Sequence, residues 1–541
     1  MPPTLHRFLL RTMSSCSISQ GTTRPSKSTG MGTGTGTGSR FNREVAPPIH
    51  RGMTELDRSR FSTRLRFVAA KIPANETGRF RDGVAKSYVI RSTRRLSLSG
   101  KARTDQVSSR SLTCGALNSS LLRIPRLPAV VNDPDTQTHR RVILQLPREE
   151  ITKDSPLQRV LDELGGSWVD HDITLDYEYW SADQILQSIL PEDLLDESPT
   201  SFTQVGHIAH LNLRDEYLPH RHLIGQIILD KNKAVRTVVN KLDTIDNEFR
   251  NFAMEVLAGP AEFVVTTSES GCTFTFDFSQ VYWNSRLQME HLRLVESFDP
   301  KDVLVDAFAG VGPFAIPAGK KGCGVSASDL NPASASALKE NATANKASPA
   351  RFCLKVDHIV RTGNADGRDW IRQSVLNIWN TPFPAYTPPL SAKARGKLAR
   401  RANDPKASPS TTSSPQKPTS VAPMDLGPPR RLVDHFVMNL PELAITMLDA
   451  YKGLYHELYK LPGARQAIEK RGEEGLPMVH CYCFTKNMDD QEGDILARAS
   501  QALGMPVTKE ARDYKLRFVR DVAPKKEMYC LEFRLSKEMV E

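Results

Sequence analysis

The sequence contains no run approaching 18 consecutive apolar residues, the length that a membrane-spanning helix needs. Its eight cysteines include no CxxC pair, which argues against a zinc knuckle, an iron–sulfur site or a disulfide scaffold. Aromatic residues make up only 7%, but hydrophobic residues reach 39% of the 541, which is enough for globular cores. We therefore expect an intracellular globular chain with reduced thiols.

Acidic residues are scarce at the start of the chain. Residues 1–43 contain none, but they hold six Lys or Arg and fifteen Ser or Thr. Residues 1–114 carry 21 basic against 6 acidic residues, so the net charge of +10 is an N-terminal property. An acid-free, Arg- and Ser-rich start with Leu5, Phe8 and Leu9 on one helical side is typical of a mitochondrial presequence. A disordered basic tail is the alternative.

Composition and periodicity divide the chain into segments. From residue 286 helices and strands alternate, which predicts a doubly wound α/β sheet. The pattern also predicts a long amphipathic helix over 214–232. The predicted segments are a disordered 1–52, a small N-terminal domain over 53–139 with an insertion at 82–118, an α+β domain over 140–285, and an α/β domain over 286–541 with a disordered insertion at 380–431.

The strongest local signal is a strand followed by a glycine turn, VLVDAFAGVGPFAI, at 303–316. The strand ends at Asp306, and Gly310 and Gly312 let the backbone turn tightly against a ligand. Asp329 follows the next strand, where its carboxylate can accept hydrogen bonds from both ribose hydroxyls of a nucleoside. A pyrophosphate would need bare backbone amides with no acid nearby, so the pattern favours S-adenosylmethionine over NAD. An ordinary strand–helix turn is the alternative.

Two further residues are candidates for the chemistry. MNLP at 438–441 places Asn439 at a strand end, where its amide can both donate to and accept from a base edge. Glu290 interrupts an apolar helical stripe, where desolvation opposes ionisation of a carboxyl, as a general base requires. Pairing of Glu290 with Arg286 or Arg293 is the alternative.

Other conspicuous residues are better explained by structural roles. The histidines at 207, 210, 220 and 222 include no i, i+4 pair with a partnering carboxylate as in HExxH, so we predict no metal site. Cys481 and Cys483 alternate along a predicted strand and are expected in or near the core.

From about Met53 to the C-terminus the chain resembles the eukaryotic and archaeal tRNA (guanine-N1)-methyltransferases that act at tRNA position 37. The resemblance is carried by GHIAHLNLRDEY, IGQIILDKN, VYWNSRLQMEH, DAFAGVGPFAIPAGKKG, DLNP and VMNLP. It implies a Rossmann-like class I methyltransferase domain in the C-terminal half, preceded by an α+β domain and a small N-terminal domain. It also implies S-adenosylmethionine as cofactor, tRNA as partner, a monomer and no membrane association.

The resemblance assigns roles to individual residues. Glu290 matches the general base, Asn439 matches the residue that orients the base, and Arg250 matches an arginine that steadies the reacting guanine. Guanine N1 carries a proton that a base must remove, and negative charge then spreads to O6, where Arg250 could stabilise it. Cofactor contacts are implied at Tyr282, His291, Asp306, Gly310, Gly312, Asp329, Leu330, Asp366, Gly367 and Asn439.

Two other functions and two locations are open. A wybutosine-pathway aminocarboxypropyl transferase shares the domain and the cofactor but transfers a different carbon, and the intact Glu290 and NLP argue against it. A non-catalytic tRNA-binding factor is disfavoured by the intact Asp306, Gly310, Gly312 and Asp329. We expect a mitochondrial matrix form that begins at Met1, and a cytoplasmic or nuclear form that begins further in, near Met53.

Overall fold

The computed structural model describes residues 45–84, 121–122, 124–146, 148–151, 153, 155–195, 199–242, 253–345, 359–386 and 428–541. Arg250 lies outside these residues, as do most of the presequence-like segment and most of both predicted insertions. In the described part, no helix is both long enough and apolar enough to cross a bilayer. The chain forms two compact units: the first contains Leu65–Ile173, and the second contains Pro47–Arg64 and Thr174–Glu541.

The first unit is built on a four-stranded sheet in the order β2-β3-β1-β4. Helix α1 (Pro156–Glu163) begins after Ser155, whose hydroxyl accepts a hydrogen bond from the Gln158 amide. Leu157 and Leu161 of this helix join the sheet residues in one buried core. The strands are β1 (Thr63–Pro73), β2 (Val130–Asn132), β3 (His139–Leu144) and β4 (Ser167–Leu175).

This sheet overturns the domain boundary predicted at 139/140. Strand β3 begins at His139 and pairs antiparallel with β1, so Pro73 lies opposite His139 and Val68 opposite Leu144. The unit continues to Ile173. A change of composition can reveal a linker, but it does not reveal which distant strands pair, and the predicted boundary therefore fell inside a sheet.

The second unit begins with a four-stranded sheet, β5-β6-β7-β8, followed by a two-stranded hairpin. The helix predicted over 214–232 is divided, because Asp215–His220 form a 3-10 helix containing Pro219, which has no amide hydrogen to donate. The elements are α2 (Ala182–Ile189), β5 (Thr203–Val205), β6 (Ile208–Leu211), α3 (Arg221–Lys231), β7 (Thr237–Lys241), β8 (Met254–Ala258), β9 (Val264–Glu269) and β10 (Cys272–Asp277).

A seven-stranded sheet in the order β13-β12-β11-β14-β15-β17-β16 forms the rest of the second unit. The first five strands are parallel, β17 is antiparallel to β15, and β16 is antiparallel to β17. This order confirms the predicted Rossmann-like α/β class. The strands are β11 (Val303–Asp306), β12 (Gly324–Ser328), β13 (Val360–Gly363), β14 (His435–Met438), β15 (Met478–Thr485), β16 (Lys515–Ala523) and β17 (Lys526–Arg534).

Helices pack against the sheet, and some of them begin at a polar side-chain cap. The Asn331 side chain accepts from the Ala333 amide at the start of α6, and Asp366 accepts from the Arg368 amide at the start of α7. These helices are α4 (Gln288–Ser297), α5 (Ala315–Lys321), α6 (Pro332–Ala344), α7 (Gly367–Asn380), α8 (Ala464–Arg471), α9 (Gln491–Leu503) and α10 (Lys537–Val540).

Side chains alternate between two buried cores, one on each face of the sheet. Val303 and Val305 of β11 face one core, whereas Leu304 between them faces the other. On β15, Cys481 and Cys483 are fully buried in the first core, which confirms the core position predicted for both cysteines. Strands β11, β12, β14 and β15 are therefore buried between the two cores, whereas β16 at the edge of the sheet is largely exposed.

The terminal residues of three predicted segments belong to the fold. These segments are the disordered tail at 1–52 and the insertions at 82–118 and 380–431. The His50 amide donates to the Ser188 carbonyl at 2.8 Å, and Val84 is buried. Phe383 is fully buried and exchanges two backbone hydrogen bonds of 2.9 and 3.0 Å with Arg430. Single anchoring residues of this kind are concealed by the polar composition around them, so the predicted bounds were too wide.

Candidate active site

The parallel strands of the large sheet all end at one edge, and the predicted site residues follow those ends. Asp306 is the last residue of β11, Asp329 follows β12, Asp366 follows β13 and Asn439 follows β14. The strand register sets Asp306 opposite Val437, so neighbouring strand ends lie level. The carboxyl edge of an open α/β sheet is where such folds bind ligands.

The turn after β11 has the backbone conformation that glycine permits. Gly310 and Gly312 have φ angles of +53° and +101°. A Cβ on Gly312 would lie 2.7 Å from Ile316 Cδ1 and 2.8 Å from Leu338 Cδ1, so no larger residue fits without a shift. The two glycines are thus required by the turn itself.

Asp329 joins this turn to the next loop. Its Oδ2 accepts from the Gly310 amide at 2.8 Å and its Oδ1 accepts from the Asn331 amide at 3.0 Å. Asn364 Nδ2 donates to the carbonyls of Asp329 and of the partly exposed Leu330, both at 2.8 Å. Burial raises the pKa of Asp329. Because each carboxylate oxygen has two lone pairs, each still has room for a hydroxyl donor.

Asp306 is a buried carboxyl with few partners. Its Oδ1 accepts weakly from the Phe308 amide at 3.4 Å, and among the described residues nothing donates to its buried Oδ2. Burial and the charge of Asp329 raise the pKa of Asp306 to about 8. A buried carboxyl that lacks donors is suited to a cationic group, which would stabilise its ionised form.

Asp366 and Gly367 have structural tasks at the third strand end. The Asp366 carboxylate caps α7, and a Cβ on Gly367 would lie 2.5 Å from the Phe308 ring. Gly367 therefore allows the Phe308 ring to pack against the start of α7. The cofactor contacts implied for both residues stay predictions.

Tyr282 and His291 differ in their access to the edge. Tyr282 is 51% exposed, and its segment is held beside the turn after β12 because Asn331 Nδ2 donates to the Gln280 carbonyl at 2.7 Å. His291 is buried, and its Nδ1 lies 2.5 Å from Glu269 Oε1. Only Nε2 of His291 is therefore left to contact a ligand.

Glu290 is held by two other side chains. Arg293 forms a fork with it, from Nη2 to Oε1 at 2.6 Å and from Nε to Oε2 at 2.8 Å. The Tyr482 hydroxyl donates to Oε1 at 2.7 Å, and Arg293 Nη2 also lies 2.9 Å from Glu532 Oε1. Pairing with Arg293 had been the alternative to a catalytic role, and the structure shows that pair. Tyr482 and Glu532 carried no sequence signal, because they lie 192 and 242 residues from Glu290 in the sequence.

Asn439 lies beside the same tyrosine. The register pairs Met438 with Cys481, which sets Asn439, the residue after β14, next to Tyr482 within β15. Asn439 Oδ1 is buried, and no described residue donates a hydrogen bond to it. Beyond Pro441 the edge opens into a cavity of about 290 Å³. Asn439 and Glu290 thus both lie near Tyr482, Asn439 by the strand register and Glu290 by a hydrogen bond.

A mostly parallel sheet with a glycine turn after β11, acids at or after the ends of β11, β12 and β13, and NLP after β14 is typical of a Rossmann-like methyltransferase. Residues 265–375 match the TRM5/TYW2 methyltransferase domain, and residues 182–262 match the TYW2 N-terminal domain. The chain is 42% identical to a tRNA (guanine(37)-N(1))-methyltransferase of Coprinopsis cinerea over 92% of this chain and 97% of the relative. It is 38% identical to that of Cryptococcus neoformans over 98% and 96%. The chain belongs to the tRNA (guanine(37)-N1)-methyltransferase family.

The likeness to solved structures is weaker. The complex of aTrm5 with tRNALeu matches at a TM-score of 0.49 and 18% identity, covering 87% of this chain and all of that chain. Trm5b of Pyrococcus abyssi matches at a TM-score of 0.45 and 19% identity, covering 87% and 99%. The family assignment therefore rests on the sequence relatives.

Proposed function

We propose that this chain transfers a methyl group from S-adenosylmethionine to N1 of guanosine at position 37 of tRNA. The observation that carries the proposal is that Tyr482 joins the two candidate residues: it donates to Glu290 and lies beside Asn439 in the strand register. Asn439, Asp306 and Asp329 lie at or just after the ends of neighbouring strands. Family membership supports the substrate and the position. A cavity of about 290 Å³ begins at Pro441, two residues after Asn439.

The two buried acids fit the cofactor. Asp329 offers one lone pair on each oxygen to the ribose hydroxyls. Asp306 offers a positive charge its buried Oδ2, to which no described residue donates. When bound, S-adenosylmethionine supplies an electrophilic methyl group on a cationic sulfur. Tyr282 and Leu330, both partly exposed at this edge, would cover the bound nucleoside.

Glu290 can take the proton of guanine N1 at one defined atom. Its Oε1 already accepts from Arg293 and Tyr482, whereas Oε2 accepts only from Arg293 Nε among the described residues. By lone-pair count, Oε2 has room for one further donor. Asn439 then holds the base edge through its amide, and the charge that develops on O6 falls to Arg250 in the role that the family resemblance gives it.

A labelling experiment tests the proposal and its nearest alternative together. The full chain is incubated with an unmodified tRNA transcript and S-adenosylmethionine labelled either in the methyl group or in the aminocarboxypropyl carbons. We expect the methyl label in 1-methylguanosine. A control transcript with adenosine at position 37 should acquire no label. Label from the aminocarboxypropyl carbons would identify the wybutosine-pathway activity instead, and no transfer of either label would leave a tRNA-binding factor.

We also propose that the chain acts as a monomer and that residues 1–52 direct it to the mitochondrial matrix, with a shorter form in the cytoplasm or nucleus. The acid-free, Arg-rich start supports the targeting proposal. Light scattering of the purified protein tests the monomer, and a dimer mass at micromolar concentration would contradict it.

A further inference from the structure

We propose that Arg293 and Glu532 act as a charge-balancing pair that sets how readily Glu290 accepts a proton. This inference rests on the proposed function, since it assigns positioning residues to the general base named there. Arg293 is the centre of the arrangement, because one nitrogen, Nη2, contacts Glu290 Oε1 at 2.6 Å and Glu532 Oε1 at 2.9 Å.

A general base needs orientation without a full ion pair of its own. The Arg293 fork fixes the Glu290 carboxylate in one plane, but a guanidinium paired with it alone would hold it ionised and make it a weak proton acceptor. Glu532 offers a second carboxylate to the same guanidinium. Once Glu290 has taken a proton, Arg293 keeps an ionised partner and is not left as an uncompensated charge.

Glu532 is built to stay ionised. Its side chain is 6% exposed, and burial alone would raise its pKa, but the nearby His480 and Arg293 outweigh burial and lower the pKa to about 2. His480 Nδ1 lies 3.8 Å from Glu532 Oε1, beyond a hydrogen bond, so we attribute the lowering chiefly to Arg293. Glu532 also sits within β17, opposite Lys515 and His480, and cannot move away.

Burial keeps three of the groups around Glu290 uncharged. Burial lowers the pKa of His480 and raises those of Tyr482 and Cys530, so all three stay neutral. His291 is already paired with Glu269. The charged or titratable groups on the elements around Glu290 and its partners are Arg286 in the 3-10 helix Ser285–Leu287, His291 and Arg293 on α4, His480 and Tyr482 on β15, Arg517 on β16, and Cys530 and Glu532 on β17.

The two members of the pair should shift the pH profile in opposite directions. We measure single-turnover methylation of a saturating tRNA transcript by the full chain, at saturating S-adenosylmethionine, across pH 5 to 9. Glu532→Gln leaves Glu290 alone with Arg293. The rise of the variant's rate with pH, the acid limb of the profile, should therefore move down by about 1 pH unit. Arg293→Gln removes the positive charge, so the limb should move up by about 1 pH unit. A part in folding alone would lower the rate without producing opposite shifts.

Two further variants keep the inference testable. Arg293→Lys retains the charge but not the fork, so it should leave the limb in place and lower the plateau rate, even if Arg293→Gln fails to fold. Glu527→Gln is the matched control on the same strand, because its carboxylate accepts from Tyr529 and lies outside this group. It should leave the profile unchanged.

The outcomes separate this inference from the proposed function. If Glu290→Gln abolishes the limb but Glu532→Gln and Arg293→Gln leave it in place or move it in the same direction, the charge-balancing pair is wrong and the general base stands. If Glu290→Gln retains the parental limb, Glu290 is not the base and the proposed mechanism fails first.

Discussion

Replacing Asp329 by alanine should weaken cofactor binding by a predictable factor. Its carboxylate is the acceptor for the Gly310 and Asn331 amides, and it has one lone pair left on each oxygen for the ribose hydroxyls. Loss of one hydrogen bond to a charged acceptor costs about 1.5–3 kcal/mol, which corresponds to a Kd about 10- to 150-fold higher. Loss of both would exceed that range.

The same substitution also affects stability, because two backbone amides lose their acceptor. Each unsatisfied buried donor costs about 1–3 kcal/mol, so the free energy of unfolding should fall measurably. Isothermal titration calorimetry of S-adenosylmethionine, a tRNA filter-binding assay and thermal unfolding separate these effects. Affinity for tRNA should stay nearly unchanged, since Asp329 lies on the cofactor side of the edge.

Asp369→Ala is the matched control, because this aspartate is exposed in the first turn of α7. It should change neither cofactor affinity nor stability by a comparable amount. An Asp329→Ala protein that is folded and binds S-adenosylmethionine with the parental Kd would remove Asp329 from the cofactor site. Equal losses of tRNA and cofactor affinity would show that the loop had collapsed.

Four further predictions follow from the site and the sequence. Glu290→Gln should slow single-turnover methylation by about 10²–10⁴-fold without changing the Kd of either substrate, and a parental rate would exclude a general base at this position. The Kd of S-adenosylmethionine should fall as pH rises through about 8, because Asp306 is protonated below its raised pKa and attracts a cation only when ionised. A Kd that is constant from pH 6.5 to 9 would contradict this. Replacing 387–427 by a short Gly/Ser linker should preserve folding and most activity, because the entropic cost of loop closure changes slowly with length. Insoluble protein would show that the segment has a structural role. A higher KM for tRNA with weaker salt dependence would show that the Lys and Arg residues of the segment contact tRNA phosphates. A fluorescent reporter fused to residues 1–52 should enter mitochondria, and a wholly cytosolic signal would exclude the presequence.

The local features of the site were predictable from sequence because each depends on neighbouring residues. The glycine turn, the strand end at Asp306 and the buried Cys481 and Cys483 all follow from short patterns. The surroundings of Glu290 did not follow, because the helix spacing could offer Arg293 only as a competitor for a catalytic role. The structure shows that Tyr482 and Glu532 complete the group, and their positions depend on strand pairing that no local pattern encodes.

The same limit explains the misplaced domain boundary. The pairing of β1 with β3 joins residues about 70 apart in sequence across a segment of unusual composition. The composition indicated the insertion at 82–118, but it did not indicate that strands on either side of the insertion pair in one sheet. In contrast, the parallel order around β11 was predictable, because alternating helices and strands leave few other arrangements.

The Phe383–Arg430 bridge holds the residues on either side of 387–427 next to each other in the second unit. Arg430 Nη1 also donates to the Gly322 carbonyl at 3.0 Å, just before β12, which places the bridge at the amino ends of the strands. The bridge is therefore a suitable insertion site for protein engineering. A fluorescent domain or an affinity handle inserted there would be tethered on the opposite rim of the sheet from the reacting atoms, and its length would not alter the spacing of α7 and β14.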